Sequence, residues 1–133
     1  MPFGPSDSIK KALDELLAAT PAGQEGGHVI FTDEKENWVQ FALDPNGLYL
    51  YWPDVARTKP DRAIPVLLDS GFVEDHNGDI PRMRNNTYVQ ADDGLYAQFG
   101  RNADSVERFT LRAFREIFGI EPETLDIELE VEP

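Results

Sequence analysis

The sequence predicts an α+β fold: an antiparallel sheet of five or six strands with helices packed on one face. The expected order is α-β-β-β-α-β-β-α, with a C-terminal segment as the sixth strand. Three observations carry this. Apolar residues recur at helical spacing near both ends of the chain. Two turn signals, Asp44-Pro45-Asn46-Gly47 and Asp92-Asp93-Gly94, stand between alternating runs, so the strands they join are antiparallel hairpins. A length of 133 residues suits one cored domain and leaves little room for two.

The elements follow in order. Pro5-Ser6-Asp7-Ser8 opens the first helix, with Ser6 or Ser8 as its cap and Asp7 at its positive end. Ile9, Leu13, Leu16 and Leu17 form one apolar stripe, and Thr20-Pro21 ends the helix. After the Gly23 to Gly27 connector, His28 to Thr32 reads as a short strand and Asp33 to Glu36 as a charged turn. Asn37 to Leu43 and Leu48 to Trp52 are the second and third strands. Asp61 to Ser70 is a short helix closed by Gly71. Pro65 within it requires a start at Pro60 or Asp61. Phe72 to Asn86 is the least patterned stretch, with His76-Asn77-Gly78-Asp79 as a turn between two short extended pieces. Thr87 to Ala91 and Leu95 to Phe99 are two more strands. Asn102 or Asp104 caps a long helix to Phe118, whose stripe is Val106, Phe109, Ala113, Phe114 and Ile117. From Thr124 to Glu132, Leu125, Ile127, Leu129 and Val131 alternate strictly with acids. That pattern predicts an ordered edge strand, joined to its own sheet or to a neighbour's. The division is thus a single domain over 1–120 and an acidic segment over 121–133.

Register sorts the faces, because a one-residue slip reverses them. A three-residue Asp92-Asp93-Gly94 loop pairs Ala91 with Leu95 and Val89 with Ala97, whereas an Asp93-Gly94 turn sets Val89 against Gln98; the first is chosen. At the other hairpin, an Asn46-Gly47 turn pairs Leu43 with Leu50, and a four-residue loop pairs it with Leu48. Either keeps the apolar face intact. One face then carries Val39, Phe41, Leu43, Leu48, Leu50, Val89, Ala91, Leu95, Ala97 and Phe99. The other carries Trp38, Gln40, Tyr49, Tyr51, Tyr88, Gln90, Tyr96 and Gln98, including all four tyrosines of the chain. Tyr and Gln serve well on any exposed strand. They are also the stiff, amphipathic contact area of partner surfaces, and this second face is the candidate partner-binding site.

The element order and three local words resemble the type III secretion chaperone fold and its YbjN-like, TY-Chap relatives. The words are Trp38-Val39-Gln40-Phe41 on a strand, Leu67-Leu68-Asp69-Ser70-Gly71-Phe72 ending the middle helix, and Leu111 to Ile120 closing the last. The resemblance runs from about Ser6 to Ile120. It implies a small acidic protein, often dimeric, that binds polypeptides and has no catalytic residues to carry over. The acidic segment 121–133 and the long stretch from Val73 to Asn85 depart from that pattern.

The remaining chemistry is sparse. Net charge is −13, and residues 121–133 hold six acids and no base. Such a surface repels phosphate backbones, so nucleic acid is not an expected partner. It promotes solubility and attracts basic partners. There is no cysteine, hence no disulfide or thiolate chemistry. No apolar run reaches the roughly 18 residues of a membrane span, and residues 1–20 lack a signal-peptide core, so a cytoplasmic protein is expected. Asp75, His76 and Asp79 crowd together, but Gly78 comes too early for a calcium loop and no acid closes it. His28 has no second ligand nearby. The four serines sit at helix ends, where capping explains them, and no nucleotide or nucleophile motif occurs. No metal, cofactor or catalytic residue is expected. Arg101, Arg108, Arg112 and Arg115 mark the last helix as a solvated face with Asp104–Arg108 and Arg112–Glu116 pairs, or as a dock for residues 126–132. The expected function is a non-enzymatic polypeptide-binding module, its partner another chain or a second copy. The rival is a small acidic inhibitor or immunity-type protein that neutralises a basic partner.

Overall fold

A computed structural model describes residues 5–53, 59–75, 83–121 and 125–131. Among these residues stand three α-helices and one mixed sheet of seven strands, in the order β4-β5-β6-β3-β2-β1-β7. The elements are α1 (Pro5–Ala19), β1 (His28–Thr32), β2 (Trp38–Asp44), β3 (Gly47–Pro53), α2 (Pro60–Asp69), β4 (Val73–Glu74), β5 (Thr87–Ala91), β6 (Gly94–Gly100), α3 (Ala103–Arg112) and β7 (Asp126–Glu130). The α+β class holds, but the sheet has one strand more than the larger expected number. The addition is β4, which runs parallel to β5. Two residues are too few to show periodicity, and a parallel pair has no hairpin signal to announce it. The turn expected at 76–79 lies outside the described residues.

The helices cover one face of the sheet. Ile9, Leu13 and Leu16 of α1, Ala63, Val66 and Leu67 of α2, and Val106 and Phe109 of α3 share one buried cluster with Val39, Phe41, Leu50 and Phe99. α1 begins at Pro5, a good first helical residue because its missing N–H needs no partner. Ser6 and Ser8 therefore lie inside the first turn, past the residue that would cap it. α2 starts at Pro60, which places Pro65 one turn in. It ends as Gly71 turns to φ 92°. The Gly71 N–H donates to Leu68 O (3.1 Å) and the Phe72 N–H to Leu67 O (2.9 Å), satisfying the last carbonyls. Asn102 caps α3 by accepting from the Ser105 N–H (3.2 Å). The helix then widens into a π turn at Ala113–Ile117, where the Phe118 N–H reaches Ala113 O (3.1 Å). The wider turn keeps Phe114 and Ile117 buried and sets Phe118 edge-on to Trp52, 5.7 Å between centroids.

The strand expected in the C-terminal segment is present. β7 pairs antiparallel with β1, Leu129 opposite Val29 and Ile127 opposite Phe31, so its apolar side joins the helix-covered face. It leaves the tyrosine face uncovered and does not dock on the arginines of α3. Three arginines in and around α3 have other partners: Arg112 pairs with Asp69 (2.8 Å) and Glu116, Arg115 with Glu121 (2.8 Å), and Arg101 donates to Leu17 O and Thr20 O at the end of α1. Asp104 pairs with Lys10 at 3.0 Å, not with Arg108 as its spacing suggested.

The register of β5 corrects the sorting of faces. Its turn is Asp92-Asp93, which pairs Ala91 with Gly94, Val89 with Tyr96 and Tyr88 with Ala97. Gly94 is the first residue of β6 and is needed there: φ is 148°, and a Cβ would collide with the backbone carbonyl of Trp52 on β3. Tyr88 and Gln90 thus lie on the helix side. Tyr88 is buried in the main core, and the Gln90 amide donates to Asp61 of α2 (3.1 Å). Val89 and Ala91 pass to the other face. Both parities of Thr87 to Ala91 carry apolar atoms, so alternation alone does not choose between them. At the β2–β3 hairpin Leu43 pairs with Leu48, one of the two expected registers.

Candidate functional site

The face away from the helices is built from alternate residues of β2, β3, β5 and β6. Two rows cross it. In the first, Ala42, Tyr49, Gln98 and Thr87 stand side by side; in the second, Tyr51, Tyr96 and Val89. The Tyr51 and Tyr96 rings lie 4.9 Å apart at 31°, a near-stacked pair. The Tyr96 hydroxyl donates to Asp93 Oδ2 (2.8 Å) at the hairpin tip. The first row ends in a polar knot. Gln98 is 1% exposed, its amide donates to both Asp44 oxygens (3.2 and 3.1 Å), and its Oε1 accepts from the Gly100 N–H (2.8 Å). Asp44 Oδ1 also takes the Asn46 and Gly47 N–H groups (2.8 and 3.0 Å). Gln98 therefore locks the β2–β3 turn to β6 and has no free amide to offer a partner.

A cleft of ≈ 320 Å³ opens over this knot. Tyr49, Tyr96 and Gln98 form its floor, and Glu25, Asp44, Pro45 and Met83 its walls. The connector that carries Glu25 is tied down on both sides of it. The Gly23 N–H donates to Pro45 O (3.1 Å), and the Gly26 N–H to Leu43 O (2.9 Å). Met83 is buried outside the main core, so the chain entering β5 covers part of this face.

Of the eight residues expected to form the site, the structure brings Tyr49, Tyr96 and Gln98 into one cleft, with Tyr51 stacked beside it. Gln40 shares the face on β2 and is half-buried. Trp38 stands at the other end of β2, packs against the margin of the core, and accepts the Trp52 Nε1–H on its carbonyl (3.1 Å). Tyr88 and Gln90 are on the opposite side of the sheet. Glu25, Asp44, Pro45 and Met83 were not anticipated. The Asp-Pro-Asn-Gly turn is a signal for Asp44, since it must sit at the end of β2, across the turn from the strand that carries Tyr49. Glu25 and Met83 arrive from segments without periodicity.

Three phenols, those of Tyr49, Tyr88 and Tyr96, hold their protons more tightly than a free tyrosine. Burial raises the Tyr49 pKa, and the charges of Asp44 and Glu25 raise it further. Burial raises Tyr96, followed by the hydrogen bond to Asp93; burial and then Glu74 raise Tyr88. A proton held more tightly in the folded chain stabilises it fully below the unfolded tyrosine value, about 10. That stabilisation is lost as the pH rises through the folded values. In an alkaline absorbance titration, Tyr49, Tyr88 and Tyr96 should ionise later than the same residues in the urea-unfolded chain. Coincident folded and unfolded curves would contradict these environments.

No group of three or more metal-ligating side chains occurs among the described residues, and none of the described helices is long and apolar enough to cross a membrane. No protein-family model, curated protein or solved structure matches the chain.

Proposed function

We propose that this chain is a non-enzymatic, cytoplasmic polypeptide-binding module of the type III secretion chaperone-like, YbjN type, and that it holds its partner on the tyrosine side of the sheet. The observation that supports this is the cleft lined by half-buried Tyr49 and Tyr96, with Tyr51 packed on Tyr96 beside it, on the one sheet face that the helices leave free. Stiff amphipathic rings that lose little entropy on contact are suited to gripping a peptide. The partner is another polypeptide or a second copy of the chain.

The test is the double change Tyr49→Ser with Tyr96→Ser. Both rings lie away from the main core, so the fold should persist, with near-unchanged circular dichroism. Binding to a captured partner, or self-association by light scattering, should weaken by more than about 2 kcal/mol if these are anchor residues. Association that survives the double change would remove the face from consideration.

A second reading, an acidic inhibitor of a basic protein, is favoured by Asp126, Glu128 and Glu130, which are all exposed along β7. It predicts binding that collapses with salt and ignores the tyrosines.

A further inference from the structure

Resting on the polypeptide-binding reading, we infer that the cleft over Tyr49 and Tyr96 takes a cationic side chain, an arginine or lysine of the bound polypeptide.

The argument is charge complementarity inside a shaped site. The described lining holds two carboxylates, Glu25 and Asp44, and no Lys or Arg. A third carboxylate, Asp93, lies outside the lining and accepts from the Tyr96 hydroxyl (2.8 Å). Asp44 is oriented by three neutral donors, the Asn46 and Gly47 N–H groups and the Gln98 amide, which fix it without cancelling its charge. Glu25 has no ion pair among the described residues. Glu25 and Asp44 line the same cleft as Tyr49, and the charges of both act on its phenol.

The other components fit the same ligand. Tyrosine rings attract cations over their faces, and a methionine wall adapts to an alkyl stem. A volume of ≈ 320 Å³ holds one long side chain, not a folded element. An anion is repelled there. A neutral apolar group would strip water from two carboxylates and return nothing for it, whereas a cation offsets that desolvation. The chain's net charge of −13 adds long-range attraction for a basic segment.

The experiment uses the full chain and three short capped peptides: a glycine peptide with one central arginine, the same peptide with citrulline, and the same peptide with leucine. Citrulline keeps the shape of arginine and removes its charge. Side-chain resonances of Tyr49, Tyr96 and Gln98 are followed during titration. The arginine peptide should give saturable shifts at these residues, with at least tenfold weaker binding for citrulline. Glu25→Gln, an exposed change that leaves the fold intact, should weaken the arginine peptide several-fold, and so should Tyr49→Leu. Equal binding of arginine and citrulline would overturn the inference. So would arginine shifts confined to Asp126, Glu128 and Glu130, or binding indifferent to both variants. If the leucine peptide alone moves Tyr49 and Tyr96, the cation site falls while the polypeptide-binding reading stands. If no peptide moves them, the cation site is also overturned, and the double-tyrosine test decides the broader reading separately.

Discussion

Phe41→Ala should cost about 3–5 kcal/mol of folding free energy, the range for removing a buried aromatic ring. Phe41 is fully buried at the centre of β2, and three rings meet it edge-on. Phe99 is 5.5 Å away, Phe109 6.4 Å and Phe31 6.5 Å, between centroids. These come from β6, α3 and β1, so the cavity would open where a helix meets the middle of the sheet. The neighbours are held by their own strands and helix and have little freedom to collapse inward. A domain of this size is stable by about 5–15 kcal/mol, so one substitution removes a large share. Urea denaturation should show a lower midpoint with an unchanged slope. A shift below about 1 kcal/mol would mean that the helices do not pack on this face.

The second large effect concerns β7. Removing residues 121–133 should destabilise the fold by roughly 2–4 kcal/mol, because Ile127 and Leu129 leave the core margin and β1 loses one side of its ladder. Gly27→Ala should have nearly the same result for a different reason. A Cβ at Gly27 would stand 1.6 Å from the carbonyl oxygen of Glu130 and 3.0 Å from the Cα of Val131. Both obstacles are backbone, so no rotamer relieves the clash and the strand must lift away. The two changes should not add. In the chain already lacking 121–133, Gly27→Ala should cost little more, and that coupling measures the contact directly. The bared edge of β1 should also promote self-association, visible as an earlier elution volume. A melting curve indifferent to the deletion would reduce the segment to a soluble tail.

Much of the architecture was legible because it is written in local periodicity. The stripes Ile9-Leu13-Leu16 and Val106-Phe109-Ala113 could only be helix faces, and each is buried as such. Val39-Phe41-Leu43 and Leu48-Leu50 could only be one side of a hairpin. The alternation from Leu125 to Leu129 was enough to expect a strand. The candidate site was legible in part. Tyr49, Tyr51 and Tyr96 share a face because their strands alternate cleanly on both sides, while Tyr88 does not, because β5 is apolar at both parities.

The sequence by itself thus determined which residues of each element look the same way, since a helix or strand imposes its repeat on its own side chains. Only the tertiary structure decided how the elements meet. It placed β7 beside β1, made β4 a parallel partner of β5, and turned Tyr88 inward under the helices. It also brought Glu25, Asp44 and Met83 around one pair of tyrosines. Such choices compare burial and hydrogen bonding across the whole sheet, where strands far apart in sequence compete for the same edge. No local pattern contains that comparison, because the free energy that settles it exists only when all the elements are packed together.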